Sequence, residues 1–237
     1  MTAALLIGAL LLDAALGEPR GIWGRVPHPA VLMGRAVGWI DARFNADAQR
    51  RVRGAFAMAG LCLGAGFSGW LIARVPDYGL LEMLAAAVLL AQRSLVQHVQ
   101  AVGNALRLSL GDGRRMVARI VGRDVTALDA PGVARAAIES AAENLSDGVV
   151  APAFWFLLGG LPGLMIYKIT NTADSMIGHR TARHQDFGWA AARLDDVLNW
   201  VPARITAALI AVGHGWFRPA PILRDAPLHR SPNAGWP

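Results

Sequence analysis

Three carboxylates recur every four residues in the stretch ARAAIESAAENLSDGVVAP. At that spacing Glu139, Glu143 and Asp147 share one stripe of an α-helix. Like charges so placed destabilise a helix by about 0.2–0.5 kcal/mol per pair, so a positive group should offset them. One explanation is a solvated face on which Arg135 pairs with the acids. The other is Mg²⁺, which takes one or two carboxylates plus substrate phosphates, and the neighbouring apolar run favours it.

A second polar group follows in YKITNTADSMIGHR. Lys168 offers a point charge suited to a phosphate, and Asp174 offers a metal ligand or a base. Equally, Asn171 and Asp174 could cap the next helix while Lys168 extends to the membrane interface. The residues alone leave both interpretations open.

A third group places Asp195 and Asn199 one helical turn apart, with Asp196 adjacent. Neighbouring carboxylates suit a divalent cation that bridges to phosphate oxygens. They also suit the start of a helix, where acids are favourable, or neutralisation by Arg193 and Arg204.

Single-residue signals are weaker. Arg35, Arg123 and Asp124 are isolated charges, and His28 and His98 belong to a residue type that more often makes structural hydrogen bonds than catalyses. The chain contains neither a Gly-x-x-x-x-Gly-Lys-Ser/Thr loop nor a Gly-x-Gly-x-x-Gly motif, so a nucleotide site would not be of the familiar kinds.

The elements that must position these groups are apolar. The 237 residues are 54% hydrophobic and 17% charged, against about 25% charged in average soluble domains, which indicates a membrane protein. Residues 54–73 and 148–167 form two uncharged windows of 20 residues, and about 20 are needed to cross a bilayer as a helix. The apolar runs 2–12, 83–91 and 205–217 are shorter candidates.

Strand signals are scarce, so we predict an all-α, multi-pass integral membrane bundle with polar loops, forming a single domain over 1–237. Pro152, Gly160 and Pro162 interrupt the second window and predict a broken or re-entrant segment. Gly60 and Gly64 have the small-residue spacing that permits close helix approach in lipid. We also expect one helix over 83–107, a polar loop over 109–132, and a helix from about 131 or 133 to Leu145.

The net charge is +6, and nearly all the cations are arginines because Lys168 is the only lysine. These arginines are scattered and match no nucleic-acid motif, so we expect no nucleic-acid partner. Arg43, Arg50, Arg51 and Arg53 precede the first strong window, which predicts that this flank lies in the cytoplasm. Cys62 is the sole cysteine and excludes an intrachain disulfide.

Eight ordered stretches over nearly the whole chain resemble the CobD/CbiB family, the adenosylcobinamide-phosphate synthases of cobalamin biosynthesis. They are LLDAALGEP, HPAVLMGR, RSLVQHV, ARIVGRDVTAL, ARAAIESAAENLSDGVVAPAFW, YKITNTADSMIGHR, FGWAAARLDDVLNWVPARIT and LHRSPNAGWP.

The resemblance implies a multi-pass inner-membrane enzyme with its active site facing the cytoplasm. It joins adenosylcobyric acid to the amine of an aminoalcohol, or of its phosphate such as aminopropanol phosphate, by ATP-dependent amide ligation. Activating a carboxylate needs Mg²⁺, ATP and cationic phosphate clamps more than a protein nucleophile. Membrane lipid and later cobalamin enzymes in the same membrane are the other expected partners.

We therefore assign candidate roles as hypotheses. The catalytic candidates are Glu139, Glu143, Lys168 and Asp174. The metal ligands are Glu139, Glu143, Asp147, Asp174, Asp195 and Asp196. The substrate-binding candidates are Arg35, His28, Arg93, His98, Arg123, Asp124, Asn171, Arg180, Asn199, His229 and Asn233.

Two rival functions remain. A membrane-embedded, Mg²⁺-dependent prenyl or phosphoalcohol transferase also holds acids on helices, but it concentrates them as DxxxD or DDxxD, whereas this chain has ExxxExxNxxDG. A corrinoid-binding or transport component would need no acidic cluster. Family members usually continue past SPNAGWP with a Gly-rich and hydrophobic segment, so we expect the sequence to be truncated at its C-terminal end.

Overall fold

A computed structural model describes residues 1–17, 20–46, 49–122 and 124–214, and every regular element among them is helical. The all-α prediction is therefore confirmed. The α-helices are α1 Thr2–Leu16, α2 Arg20–Trp23, α3 Pro29–Phe44, α4 Arg50–Ala73, α5 Leu80–Leu89, α6 Gln92–Leu108, α7 Leu110–Val117, α8 Ala130–Leu145, α9 Ala151–Ile177 and α10 Trp189–Gly213.

Three helical stretches of the described chain are long and apolar enough to cross a membrane: Arg50–Ala73, Leu80–Leu108 and Ala130–Ile177. The two windows predicted from hydropathy lie in the first and third of them. On α4, large side chains such as Phe56, Leu63 and Phe67 are exposed. An apolar surface of this kind suits lipid, so these stretches indicate an integral membrane protein.

Two separate clusters of buried apolar side chains divide the molecule. The larger one joins α1, α3, α4, α5, α9 and α10 around residues such as Phe156, Leu161 and Leu164. The smaller one lies between α6, α7 and α8 around Val102 and Val133. The protein thus consists of an apolar bundle beside a smaller unit of more polar helices.

The predicted break in the second apolar window is confirmed within α9. Gly160 has φ +60° and ψ −156°, and Pro162 follows. Glycine tolerates this conformation because it lacks a Cβ atom. The N–H of Leu161 donates to Glu82 Oε1 of α5 at 3.1 Å, so a carboxylate replaces the interrupted helical hydrogen bond.

No helix of the described chain packs closely against Gly60 or Gly64, because a Cβ at either position would meet no heavy atom of the structure within 4 Å. The tight contacts of α4 lie at its ends instead. A Cβ on Gly54 would stand 1.9 Å from the carbonyl oxygen of Phe187, and one on Gly69 would stand 2.9 Å from the backbone of Pro162. On α4, glycine is therefore required for close packing at Gly54 and Gly69, which face the backbones of other segments.

Two predicted boundaries also need correction. The helix expected over 83–107 is two helices, because α5 ends at Leu89 and α6 begins at Gln92. The buried Asp13 accepts from the N–H of Gln92 at 2.7 Å and so caps α6 from α1. The loop expected over 109–132 contains α7, whose first turn is capped by Ser109.

The connection between α9 and α10 is fixed to the end of α3. Arg183 Nη2 donates to Asp41 Oδ2 at 2.8 Å, and Asn45 Nδ2 donates to the carbonyl oxygen of Arg183 at 3.0 Å. A Cβ on Gly188 would stand 1.6 Å from the carbonyl oxygen of Ile177, so the backbones at the two ends of the connection touch. These contacts set the relative position of α9 and α10.

Candidate active site

The site begins where α8 meets α9. Residues Ser146–Val150 form a π-helical turn, which is wider than an α turn and is frequent at functional sites. Glu139 and Glu143 on α8 are exposed, whereas Asp147 in the π turn is half-buried. The three acids predicted on one stripe therefore differ in environment, and only Asp147 enters the bundle.

Asn171 of α9 joins the carboxylates of two other elements. Its Nδ2 lies 3.1 Å from Asp147 Oδ2 and 3.5 Å from Asp195 Oδ1. On α10, Asn199 Nδ2 donates to Asp195 Oδ2 at 2.9 Å. The hydroxyl of the fully buried Tyr167 then donates to Asn199 Oδ1 at 3.0 Å. We call Asp147, Tyr167, Asn171, Asp195 and Asn199 the carboxylate–amide network.

In this network, the surroundings of Asp195 disfavour its ionised form. Its burial, followed by the negative charges of Asp174 and Asp147, raises the pKa of Asp195 to about 7, and the hydrogen bonds from Asn199 and Asn171 only partly oppose this. A cation near this carboxylate would favour its charged form. The surroundings of Asp195 are therefore unfavourable for its negative charge, and a bound cation would stabilise that charge.

Other predicted residues surround the network. Glu143, Lys168 and Asp174 all interact electrostatically with Asp147. Asp196 lies on the outer side, with a half-exposed side chain, and Arg193 Nη1 donates to its Oδ2 at 3.3 Å. The alternative in which Asn171 and Asp174 cap the next helix is wrong, because α9 continues through both residues to Ile177.

The donors of this network suit Mg²⁺ only as an ion shared with substrate. Among the described residues, no group of three or more His, Cys, Asp or Glu side chains could hold a metal ion by itself. Asp147 and Asp195 nevertheless present two carboxylates that converge on one amide nitrogen. Mg²⁺ commonly uses one or two carboxylates and takes its other ligands from water and substrate phosphates.

Several predicted binding residues lie elsewhere and make local contacts. His28 Nδ1 accepts from the N–H of Ala30 and caps α3, and Arg93 Nη1 donates to carbonyl oxygens at the end of α1. Asp124 Oδ1 accepts from the N–H of Thr126 at 2.9 Å. Arg35 and Arg180 are exposed on α3 and after α9. Their roles in substrate binding stay predictions, and Arg123, His229 and Asn233 lie outside the described residues.

Tyr167 is the member of the network that sequence reasoning missed. In the sequence it is the last residue of the uncharged window 148–167. It stands four residues before Asn171, so the two share a helix face. That spacing, together with a hydroxyl that must find a partner when buried, was the available signal.

These features define a helical membrane protein with a partly buried carboxylate–amide site at the junction of an apolar bundle and a polar helical unit. The model of the CobD/CbiB protein family matches residues 6–237, and the chain therefore belongs to this family. The family is that of the adenosylcobinamide-phosphate synthases, enzymes of cobalamin biosynthesis, which confirms the predicted resemblance.

The chain is similar to curated proteins that carry the name cobalamin biosynthesis protein CobD. It is 51% identical to that of Brucella suis, with 97% of this chain and 76% of the relative aligned. It is 49% identical to that of Rhizobium meliloti (98% and 77%) and 44% identical to that of Rhodobacter capsulatus (99% and 77%). No solved structure gives a significant match.

Proposed function

We propose that this chain forms the amide bond of adenosylcobinamide phosphate from adenosylcobyric acid and aminopropanol phosphate, at the expense of ATP. The observation that carries the proposal is family membership over residues 6–237 together with two half-buried carboxylates that meet at one amide. Such a site suits a reaction in which phosphates and a divalent cation must be held together.

Amide formation from a carboxylate is uphill in water, so the acid must be activated. In the proposed sequence, the γ-phosphoryl group of ATP is transferred to the corrinoid carboxylate, and ADP leaves. The amine nitrogen then attacks the carbonyl carbon, the bond to the phosphate oxygen breaks, and inorganic phosphate leaves. The nitrogen enters as an ammonium group and gives up two protons, one before and one after the attack.

We assign Asp147 and Asp195 as the carboxylates that hold Mg²⁺, with Glu143 and Asp174 as nearby acids. When bound, Mg²⁺ supplies neutralisation of phosphate charge during phosphoryl transfer. Asn171 and Asn199 orient the two carboxylates through their amide donors. We assign Lys168, which interacts electrostatically with Asp147, to a phosphate of the substrate.

The membrane orientation belongs to the same proposal. Arg50, Arg51 and Arg53 lie at the start of the candidate span α4, and Arg43 lies near the end of the preceding helix. An excess of arginine at this end favours the cytoplasmic side. We place the site on that side, where ATP is available.

The direct test supplies purified protein in nanodiscs with adenosylcobyric acid, aminopropanol phosphate and Mg-ATP, and measures the amide by mass spectrometry. We expect ATP-dependent formation of the amide. If corrinoid binds but no amide forms, the transport alternative replaces this proposal. If no amide forms and the protein instead transfers the group of a separately supplied prenyl or alcohol diphosphate, the transferase alternative replaces it.

Individual roles need a second test. Glu143→Ala and Asp174→Ala should each abolish amide formation while leaving membrane insertion and melting behaviour intact. Near-normal turnover in both variants would remove these two acids from the mechanism.

A further inference from the structure

The hydroxyl group of Tyr167 lies inside the carboxylate–amide network, on a side chain that is fully buried. Its oxygen donates to Asn199 Oδ1 over 3.0 Å. A buried tyrosine hydroxyl needs a partner, so this bond alone is what any structural tyrosine would make. Two further observations point to a role at the site. The partner is an amide that itself holds a carboxylate, and Tyr167 interacts electrostatically with both Asp147 and Asp195.

Asn199 is the residue through which this hydroxyl can act on Asp195. An asparagine side chain carries its acceptor oxygen and its donor nitrogen on one planar amide. Tyr167 donates to the oxygen, and the nitrogen donates to Asp195 Oδ2 at 2.9 Å. Because the amide is held at both atoms, its plane is fixed. Without the hydroxyl, Asn199 Oδ1 would lose this donor and the amide could turn about its terminal side-chain bond, where rotation is only weakly restricted.

Of the two amide nitrogens that contact Asp195, that of Asn199 is the nearer. It lies 2.9 Å from Oδ2, whereas Asn171 Nδ2 lies 3.5 Å from Oδ1, at the outer limit for a hydrogen bond. Asn171 Nδ2 is closer to Asp147 Oδ2, at 3.1 Å. Oδ2 is therefore the anchored oxygen of Asp195. Oδ1 is the oxygen on the side of Asp147, because both carboxylates contact the same amide nitrogen of Asn171.

We infer that Tyr167 is a positioning residue for the metal site: its hydroxyl fixes the Asn199 amide, which keeps Asp195 Oδ1 on the side of Asp147. Outer hydrogen bonds of this kind orient the carboxylates of metal sites and tune their affinity. The inference rests on the proposed function for the reaction that the two carboxylates serve. Its effect on metal affinity can be measured without that reaction.

The test compares Tyr167→Phe with Tyr78→Phe, which change the only two tyrosines of the chain. Each substitution removes one hydroxyl and keeps the ring, and Tyr78 is almost fully exposed in the turn before α5. The full chain in nanodiscs is titrated with Mn²⁺ alone, a substitute for Mg²⁺ at carboxylate sites, and the free ion is measured by electron paramagnetic resonance. Melting temperatures and the Mg²⁺ dependence of amide formation are measured on the same samples.

We expect Tyr167→Phe to raise the Kd for Mn²⁺ by about 3- to 10-fold, the effect of losing one hydrogen bond between uncharged groups. The Mg²⁺ concentration for half-maximal amide formation should rise by a similar factor, while kcat at saturating Mg²⁺ stays within about twofold of wild type. Tyr78→Phe should match the wild type in each measurement. A hydroxyl that only stabilised the fold would lower the melting temperature and leave the Kd unchanged, which would overturn the inference.

Asn199→Ala provides a second variant and shows whether the hydroxyl acts through the amide. Alone, it should weaken Mn²⁺ binding at least as much as Tyr167→Phe does. In the Asn199→Ala background, Tyr167→Phe should cause no further change, because residues that act through one another have non-additive effects. Additive losses in the double variant would overturn the inference.

The inference and the proposed function can fail separately. Mn²⁺ binding that depends on Tyr167, without amide formation, would leave the positioning role standing and remove the ligase proposal. Amide formation whose Mg²⁺ dependence is unaffected by Tyr167→Phe would do the opposite. Absence of Mn²⁺ binding by the wild type would overturn the positioning role directly.

Discussion

The side-chain amide of Asn171 donates to the carboxylate of Asp147 over 3.1 Å, and through this contact α9 holds the π turn against α10. One amide nitrogen thus stands where two carboxylates would otherwise repel each other. Removing this amide should therefore change both the free energy of unfolding and the binding of a cation between the two carboxylates.

Asn171→Asp replaces that donor by a third carboxylate. We expect the free energy of unfolding in chelator to fall by about 1.5–3 kcal/mol, the cost of losing hydrogen bonds to charged groups. Added Mg²⁺ should restore part of the loss, because a cation would satisfy the added charge. Thermal unfolding in detergent with EDTA or with Mg²⁺ measures both effects.

Asn104→Asp is the matched control, since Asn104 is exposed on α6 and bonds only locally to Arg107. A Mg²⁺ response of equal size in the two variants would show that the acids around Asn171 hold no metal.

Asp195 and Asp196 are adjacent in sequence but differ in surroundings. Asp195 belongs to the carboxylate–amide network, whereas Asp196 is half exposed beside Arg193. We expect Asp195→Asn to lower kcat by at least about 10- to 100-fold, the range found when groups that order a metal site are lost. Asp196→Asn should stay within about twofold of wild type, as for most surface changes. The measurement is the rate of amide formation by the two variants. An equal fall in kcat in both would contradict the assignment of Asp195, and not Asp196, to the metal site.

The break in α9 gives a prediction about stability alone. Gly160→Ala forces a Cβ into a conformation with φ +60° and ψ −156° that is essentially restricted to glycine, and to within 3.1 Å of Glu82 Oε1, so the variant should lose about 1–3 kcal/mol. Gly159→Ala is the control, because a Cβ there meets nothing within 4 Å and its φ is not positive. Melting temperatures in detergent compare the two, and similar values would mean that the break is not a fixed feature.

The hydrogen bonds of Asp41 predict that the connection between α9 and α10 loses stability at low pH. Burial alone would raise its pKa, but hydrogen bonds from Asn45, Arg183 and His184 outweigh burial and hold the pKa of Asp41 below its ordinary value of 3.8. A lowered carboxyl pKa adds stability that is present above pH 3.8 and is lost as the pH falls through the folded-state value.

The measurement is the melting temperature of wild type and Asp41→Asn between pH 7 and pH 3. We expect the wild type to be more stable at pH 7 and the difference to shrink below about pH 4. Asp186→Asn removes the same charge from an exposed position in the same connection and should follow the wild-type curve. A difference that persists unchanged at pH 3 would contradict the role of the ionised carboxylate.

Much of the fold was predictable because it depends on composition along the chain. Hydropathy predicted the windows within α4 and α9, and Gly160 with Pro162 predicted the break. The missed features depend on distant contacts. Asp13 caps the start of α6 from 79 residues away, and α7 is capped locally inside a stretch whose polar composition is typical of a loop.

The candidate site was predicted residue by residue but not as an arrangement. Asp147, Asn171, Asp195 and Asn199 were all proposed, and the structure joins them in one hydrogen-bonded network. A regular helix period would have kept Asp147 in line with Glu139, whereas the π turn gives it a different environment. Such a turn has no sequence signature of its own, since it depends on how the flanking helices pack.

The π turn at Ser146–Val150 also determines where this protein can change in length. A π turn accommodates a residue more than an α turn would, so deleting one residue there can close it into a regular turn and leave α8 and α9 facing as before. The same deletion inside either helix would rotate all that follows by about 100°. Asp147 therefore lies in a turn that can lose one residue without changing which faces α8 and α9 present, and at this site chain length matters alongside side-chain chemistry.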